Sequence, residues 1–257
     1  GLQEELRIAR EKTTGIIGVN IMVALSNFAD MARTAIAEKA DIIFAGAGLP
    51  LDLPLYKTAD SETKLVPIVS SARAAKVICE KWYLNYNYLP DAIVVEGPKA
   101  GGHLGFKKDQ IFNESFSLEE ILPGVIEIAN SYKEIKQIPV IAAGGISTGS
   151  DISRLINLGV SGVQMGSIFV TTYECDADDA FKQAYISAKK EDIQIINKIL
   201  ALHGVQLLRI HNSNEQLFLF TKSQLDNFAK RVQNDVLNEI NGVLSSVGSL
   251  FSNTSLS

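Results

Sequence analysis

Between Gly15 and Ser167 the chain repeats one pattern, a short and almost continuous apolar run followed by a longer stretch with helical spacing. The runs are Ile16-Ile17-Gly18-Val19-Asn20-Ile21, Asp41-Ile42-Ile43-Phe44, Leu65-Val66-Pro67-Ile68-Val69, Ala92-Ile93-Val94-Val95, Pro139-Val140-Ile141-Ala142 and Gly162-Val163-Gln164-Met165. A strand wetted on one face alternates polar and apolar residues. These runs do not, so both of their faces must be covered. The stretches between them, Asn27–Lys39, Ser71–Trp82, Ser117–Ser131 and Ser150–Leu158, predict helices, with Ser26, Ser70 and Ser117 as capping residues. Repeated strand–helix alternation specifies a parallel α/β sheet.

Two closures of such a sheet compete, an open doubly wound sheet and a barrel. A dinucleotide-binding sheet carries GxGxxG after its first strand, and this chain has none there. Its glycine-rich and polar segments follow several successive strands instead, where a barrel assembles a site from its βα loops. The expectation is a TIM-type (β/α)8 barrel over residues 1–195 that lacks its first two βα units, with Leu2–Lys12 a helix whose preceding strand is absent. Residues 196–257 read as an atypical tail: strands over Val205–Ile210 and Gln216–Phe220, a helix over Ser223–Leu244, and a frayed Ser/Asn/Gly-rich end over Ser245–Ser257.

Composition narrows the function. With 257 residues, 46% of them apolar, the chain can bury one sizeable core. A net charge of -5 argues against a nucleic-acid surface. No apolar run approaches the roughly 18 residues of a membrane helix and no signal-peptide pattern opens the chain, so a cytoplasmic location is expected. Cys79 and Cys175 stand far apart with no metal-ligand spacing, which predicts inert reduced thiols and no metal site. His203 and His211 belong to no recognisable metal-ligand motif. No P-loop occurs. Glu119-Glu120 suits the first turn of a helix, and Lys107-Lys108 a solvated loop.

The segments that can carry chemistry follow the strands. After Ala92–Val95 comes Glu96-Gly97-Pro98-Lys99-Ala100-Gly101-Gly102-His103-Leu104-Gly105. Its glycines let backbone approach a flat ligand closely, and an imidazole beside them can move a proton near neutral pH. A loop histidine that merely finishes a strand is the alternative. Ala142-Ala143-Gly144-Gly145-Ile146 and Gln164-Met165-Gly166-Ser167 end two successive strands. Each can turn backbone N–H groups, and Ser167 its hydroxyl, toward a phosphate; the alternative is that the glycines serve tight turns alone. Asn20, in Gly18-Val19-Asn20-Ile21-Met22, reads either as a partner for a heterocycle or as a cap for the next helix. Gly46 and Gly48 clear space or turn the chain.

Taken in order, the GVNIM, AGAG, EGPKAGGHLG, AAGGI and QMGS segments resemble the nitronate monooxygenase (2-nitropropane dioxygenase) family and its relative, the FMN-dependent enoyl-acyl-carrier-protein reductase. The resemblance implies a flavin barrel in which Asn20, Glu96, Gly101, Gly102, Gly144, Gly145, Gln164, Met165, Gly166 and Ser167 surround FMN and His103 is the acid/base residue. It further implies a small-molecule nitronate or nitroalkane as substrate with O2 as oxidant, and a homodimer. Two features depart from the family: its first two βα units, with a QGGMG-like segment, and its SPVGxPGR segment have no counterpart here. An NADH-dependent enoyl-thioester reductase and a non-catalytic barrel fragment are the competing expectations.

Overall fold

The computed structural model describes residues 1–189, 192–197 and 217–221. The chain divides into two compact units, one formed by Gly1–Ala100 and Lys108–Ile168, the other by Gly101–Lys107 and Phe169–Ser257.

The first unit is a wholly parallel six-stranded sheet. Its strands are β1 (Gly18–Met22), β2 (Ile42–Gly46), β3 (Lys64–Val69), β4 (Ile93–Glu96), β6 (Val140–Ala143) and β7 (Gly162–Gln164), adjacent in that order. All six expected strands are present, each within two residues of the expected bounds. Helices α1 (Leu2–Lys12), α2 (Phe28–Ala37), α3 (Ala72–Tyr86), α4 (Leu118–Ser131) and α5 (Gly149–Asn157) accompany them. One face of the sheet, carrying Ile21, Ile43, Leu65, Ile93 and Ala142, shares a core with Ile36, Ile78, Trp82, Leu122 and Leu155 of the helices. The opposite face carries a second apolar cluster of Val66, Ala92, Val94 and Ala143, with Ile42, Phe44, Ile68 and Ile141 against it. Apolar packing on both faces is the physical reason that the strands do not alternate.

Two of the expected caps are displaced by one residue. Ser71, not Ser70, caps α3, its hydroxyl accepting from Ala74 N at 3.2 Å. Asn27, not Ser26, precedes α2, because consecutive turns already satisfy that helix start: Phe28 N donates to Leu25 O and Met31 N to Asn27 O. Ser117 does occupy the cap of α4, but through its carbonyl oxygen, which accepts from Glu120 N and Ile121 N.

At the amino ends of β3 and β4 a polar cluster joins three segments. The Asp91 carboxylate accepts from Leu65 N at 2.7 Å, from Lys136 Nζ at 2.8 Å and from the Tyr88 hydroxyl. Lys136 Nζ also donates to Leu89 O at 2.9 Å and lies 5.0 Å from the centre of the Tyr88 ring. Burial alone would raise the Asp91 carboxyl; the Lys136, Tyr88 and Leu65 hydrogen bonds outweigh it and hold it below its ordinary value. Asp91→Ala strands a half-buried ammonium and a backbone donor. It is expected to cost about 2–3 kcal/mol, below the loss for a fully buried pair because Lys136 is one-third exposed. Urea denaturation midpoints measure it.

In the second unit, β5 (Gly102–Leu104), β9 (Leu217–Thr221) and β8 (Ile193–Asn197) form an antiparallel sheet with β9 in the middle. The strand expected over 216–220 is thus realised one residue later, whereas β5 and β8 are not foreseen by the sequence reading. Helix α7 (Asp179–Ser187) is capped by Asp178, whose side chain accepts from Ala180 N at 2.8 Å. A four-residue helix, α6 (Ser167–Val170), follows β7. The elements expected over 205–210, 223–244 and 245–257 lie outside the described residues. Among the described residues no helix is long and apolar enough to cross a membrane.

Candidate active site

Parallel strands in register project neighbouring side chains to the same side of a sheet. Glu96 on β4 is paired with Ala143 on β6, and Ala143 with Gln164 on β7. Ala143 belongs to the cluster on the face away from the helices, so Glu96 and Gln164 project from that face too. Strand spacing puts their Cα atoms about 10 Å apart, with only a methyl group between them. The result is a short floor at the carboxyl ends of three adjacent strands, small in the middle and polar at both ends. On the same face Asn20 is paired with Phe44 and Phe44 with Val66. Asn20 is exposed and sits in mid-strand, since β1 runs on to Met22.

Both ends of the floor are chemically unusual. Gln164 Oε1 is buried and accepts no hydrogen bond among the described residues. A buried acceptor left so costs about 1–3 kcal/mol, a cost that a bound donor removes. Burial pushes the Glu96 carboxyl up to about 7. The folded pKa exceeds the unfolded one, so the fold favours the protonated form. The associated stability is complete below about 4.5 and is lost as the pH rises through 7. Glu96→Gln, which mimics the neutral acid, is therefore expected to match the parent near pH 4 and to exceed it by about 2–3 kcal/mol at pH 8. Denaturation midpoints at the two pH values check this; equal differences at both would place Glu96 in water.

The loop after β6 owes its glycines to backbone and packing together. Gly144 has φ +98° and Gly145 φ +74°, a region that L side chains rarely adopt. A Cβ on Gly144 would lie 3.1 Å from both Gly97 O and Ala100 N, and one on Gly145 only 2.7 Å from Lys99 Cβ. The loops after β4 and β6 thus interlock, which the sequence reading, with turns and ligand approach in view, does not anticipate. The start of α5 is taken by its own residues: Thr148 Oγ1 accepts from Asp151 N, and the Asp151 carboxylate accepts from Ser147 N, Thr148 N and the Thr148 hydroxyl. The Thr148-x-x-Asp151 spacing is a sequence signal for this arrangement. The amides of Gly145, Gly166 and Ser167 donate to no acceptor among the described residues.

The sequence-predicted site residues therefore separate into groups. Glu96, Gly144, Gly145, Gln164, Gly166 and Ser167 gather at the ends of β4, β6 and β7. Met165 turns its side chain to the helix-side core, leaving only its backbone for a ligand. Asn20 lies three strands from Glu96. Gly101, Gly102 and His103 belong to the second unit, where β5 pairs half-buried His103 with Phe218 and Gly102 has φ +86°. Among the described residues no cluster of three His, Cys, Asp or Glu suits a metal ion.

A family model described as nitronate monooxygenase matches residues 2–217. The chain belongs to the nitronate monooxygenase family. A probable nitronate monooxygenase of Staphylococcus saprophyticus is 28% identical over 196 residues, which are 76% of this chain and 52% of that protein. The chain spans about half the length of the curated relatives it matches. Its fold is shared with FabK from Thermotoga maritima, at a TM-score of 0.65 and 21% identity over 97% of this chain and 83% of that one. A nitroalkane oxidase from Streptomyces ansochromogenes matches at a TM-score of 0.55 and 20% identity, covering 72% of this chain and 59% of that chain. At these identities the likeness is one of fold: an α/β architecture with a parallel half-barrel sheet.

Proposed function

We propose that this chain is an FMN-dependent oxidoreductase that oxidises alkyl nitronates with O2, giving a carbonyl compound and nitrite, on a (β/α)8-type barrel sheet. The observation that carries this reading is the Glu96–Ala143–Gln164 row. The residues fit a flavin mononucleotide on three counts. Gln164 Oε1 needs an N–H donor, and a flavin ring carries one. Ala143 sets no more than a methyl group between the two polar side chains. The amides of Gly145, Gly166 and Ser167 suit an anion.

In this reading Asn20, Glu96 and Gln164 meet the ring system. Gly144, Gly145, Gly166 and Ser167 meet the phosphate, with the Met165 backbone as a further contact. When bound, FMN supplies electron acceptance from the substrate and delivery to O2. The protein supplies position, exclusion of water and a proton acceptor. His103 takes the α-proton of a neutral nitroalkane, a step that a preformed nitronate does not need. Glu96, neutral through much of the range below pH 7, presents a hydroxyl donor without adding charge to the floor.

The competing reading, an NADH-dependent enoyl-thioester reductase, draws on the share of this chain that FabK covers. One set of measurements separates the two. The full chain is reconstituted with FMN and its visible spectrum recorded, then supplied with alkyl nitronate while O2 uptake and nitrite are followed. Bound-flavin absorption with nitronate-dependent nitrite release is the expected result. Rapid anaerobic bleaching by NADH without nitronate turnover transfers the assignment to the reductase. A folded protein that stays colourless overturns both.

A further inference from the structure

We propose that Lys99 is the cationic anchor for the phosphate end of the cofactor, an inference that rests on the flavin reading above. Lys99 follows β4 in the turn Glu96-Gly97-Pro98-Lys99-Ala100 and is exposed. An exposed lysine ordinarily extends its stem into water. Here the stem lies over the neighbouring loop, since a Cβ placed on Gly145 would be 2.7 Å from Lys99 Cβ and 3.1 Å from its Cδ. The residue it crosses is the one whose positive φ and unengaged amide mark the phosphate end. The bare backbone of Gly145 thus serves two purposes: it frees an N–H donor and makes room for a cation beside it.

The charge at this corner also favours an anchoring role for Lys99. Arg154 is committed to Glu119 and, at 3.4 Å, to Asp151. The Asp151 carboxyl is held below its ordinary value chiefly by the Thr148 hydroxyl, then by the Ser147 and Thr148 amides, with the positive charge of Lys99 contributing. Lys99 itself makes no hydrogen bond or ion pair among the described residues. Among the described residues these interactions join two carboxylates, Glu119 and Asp151, to two cations, Arg154 and Lys99. A phosphomonoester brings about 1.5–2 further negative charges. Backbone amides orient such a group but carry only partial charge. Without Lys99 the corner is net negative before the ligand arrives, and the phosphate is repelled rather than held.

FMN and riboflavin differ only by the phosphate, so the pair isolates its contribution. Dissociation constants of both are measured by flavin fluorescence on the full chain, at low and high salt, for the parent, Lys99→Met and Lys99→Arg. Methionine keeps an aliphatic stem over Gly145 and removes the charge, while arginine keeps the charge. The expected result is an FMN affinity at least about 10-fold weaker for Lys99→Met. Riboflavin affinity should be unmoved, Lys99→Arg should recover most of the loss, and the parent's preference for FMN should shrink with salt. Equal weakening of FMN and riboflavin would reduce Lys99 to a packing residue, and no weakening of either would remove it from the site. A parent that binds both flavins alike, or neither, overturns the phosphate reading itself and this inference with it.

Discussion

An alanine at position 103 is expected to leave the protein yellow while turnover of a neutral nitroalkane falls by about 10²–10⁴-fold, the usual contribution of a positioned acid/base group. The cofactor should stay because the residues proposed to hold its ring and phosphate, Glu96, Gly145, Gln164 and Ser167, belong to the parallel-sheet unit, whereas His103 belongs to the other. The fold should stay because β5 is joined to β9 through main-chain atoms, which alanine keeps. The informative quantity is the ratio between two substrates. A nitroalkane must lose its α-proton before oxidation, and a nitronate has already lost it. Proton abstraction therefore predicts a large loss of kcat/KM on the nitroalkane, a small one on the nitronate, and partial rescue by added imidazole. Equal losses on both would make His103 a binding residue, and no loss on either would remove it from the reaction.

The parallel strands are legible in the sequence because their cause is local in pattern: a run without polar alternation has both faces covered, and the two apolar clusters on either side of the sheet are that coverage. Strand β5 is not legible. It is three residues long, begins at a glycine of positive φ, and is held by a strand more than a hundred residues later, Gly102 pairing with Leu219. No local signal reports so distant a pairing, and the segment reads as a glycine-rich loop. The Asp91 cluster is hidden for the same reason, since Lys136 reaches Asp91 across 45 residues of chain.

The candidate site lies between these extremes. Gln164 and Glu96 stand out as polar residues ending apolar strands, but only the register shows that Ala143 lies between them. Met165 shows the converse: adjacent to Gln164 in the same motif, it turns to the opposite face because side chains alternate along a strand. Motif membership cannot distinguish the two, whereas strand parity can.

Gly145→Val is expected to weaken FMN binding by about 100-fold or more while far-UV circular dichroism shows the sheet intact. Two costs coincide at this position. A β-branched residue at φ +74° is strained by about 1–3 kcal/mol. Its Cβ would also lie 2.7 Å from Lys99 Cβ, which is fixed to the backbone and cannot swing aside as the end of a flexible chain would. The loop after β6 must then move away from the loop after β4, carrying the Gly145 amide with it and displacing Lys99. The apolar strands beneath are not touched, so the loss falls on the ligand more than on the fold. Gly149 provides the control, since a Cβ there meets nothing within 4 Å and its φ is not positive. As the first residue of α5, Gly149→Ala should leave FMN affinity unchanged and stabilise the fold by a few tenths to 1 kcal/mol. Fluorescence titration of FMN into both variants, with thermal melts alongside, gives the comparison. If Gly145→Val holds FMN as tightly as the parent, the phosphate is not at this loop; if Gly149→Ala loses FMN as well, the start of α5 contributes in a way that its internal Asp151 cap does not allow for.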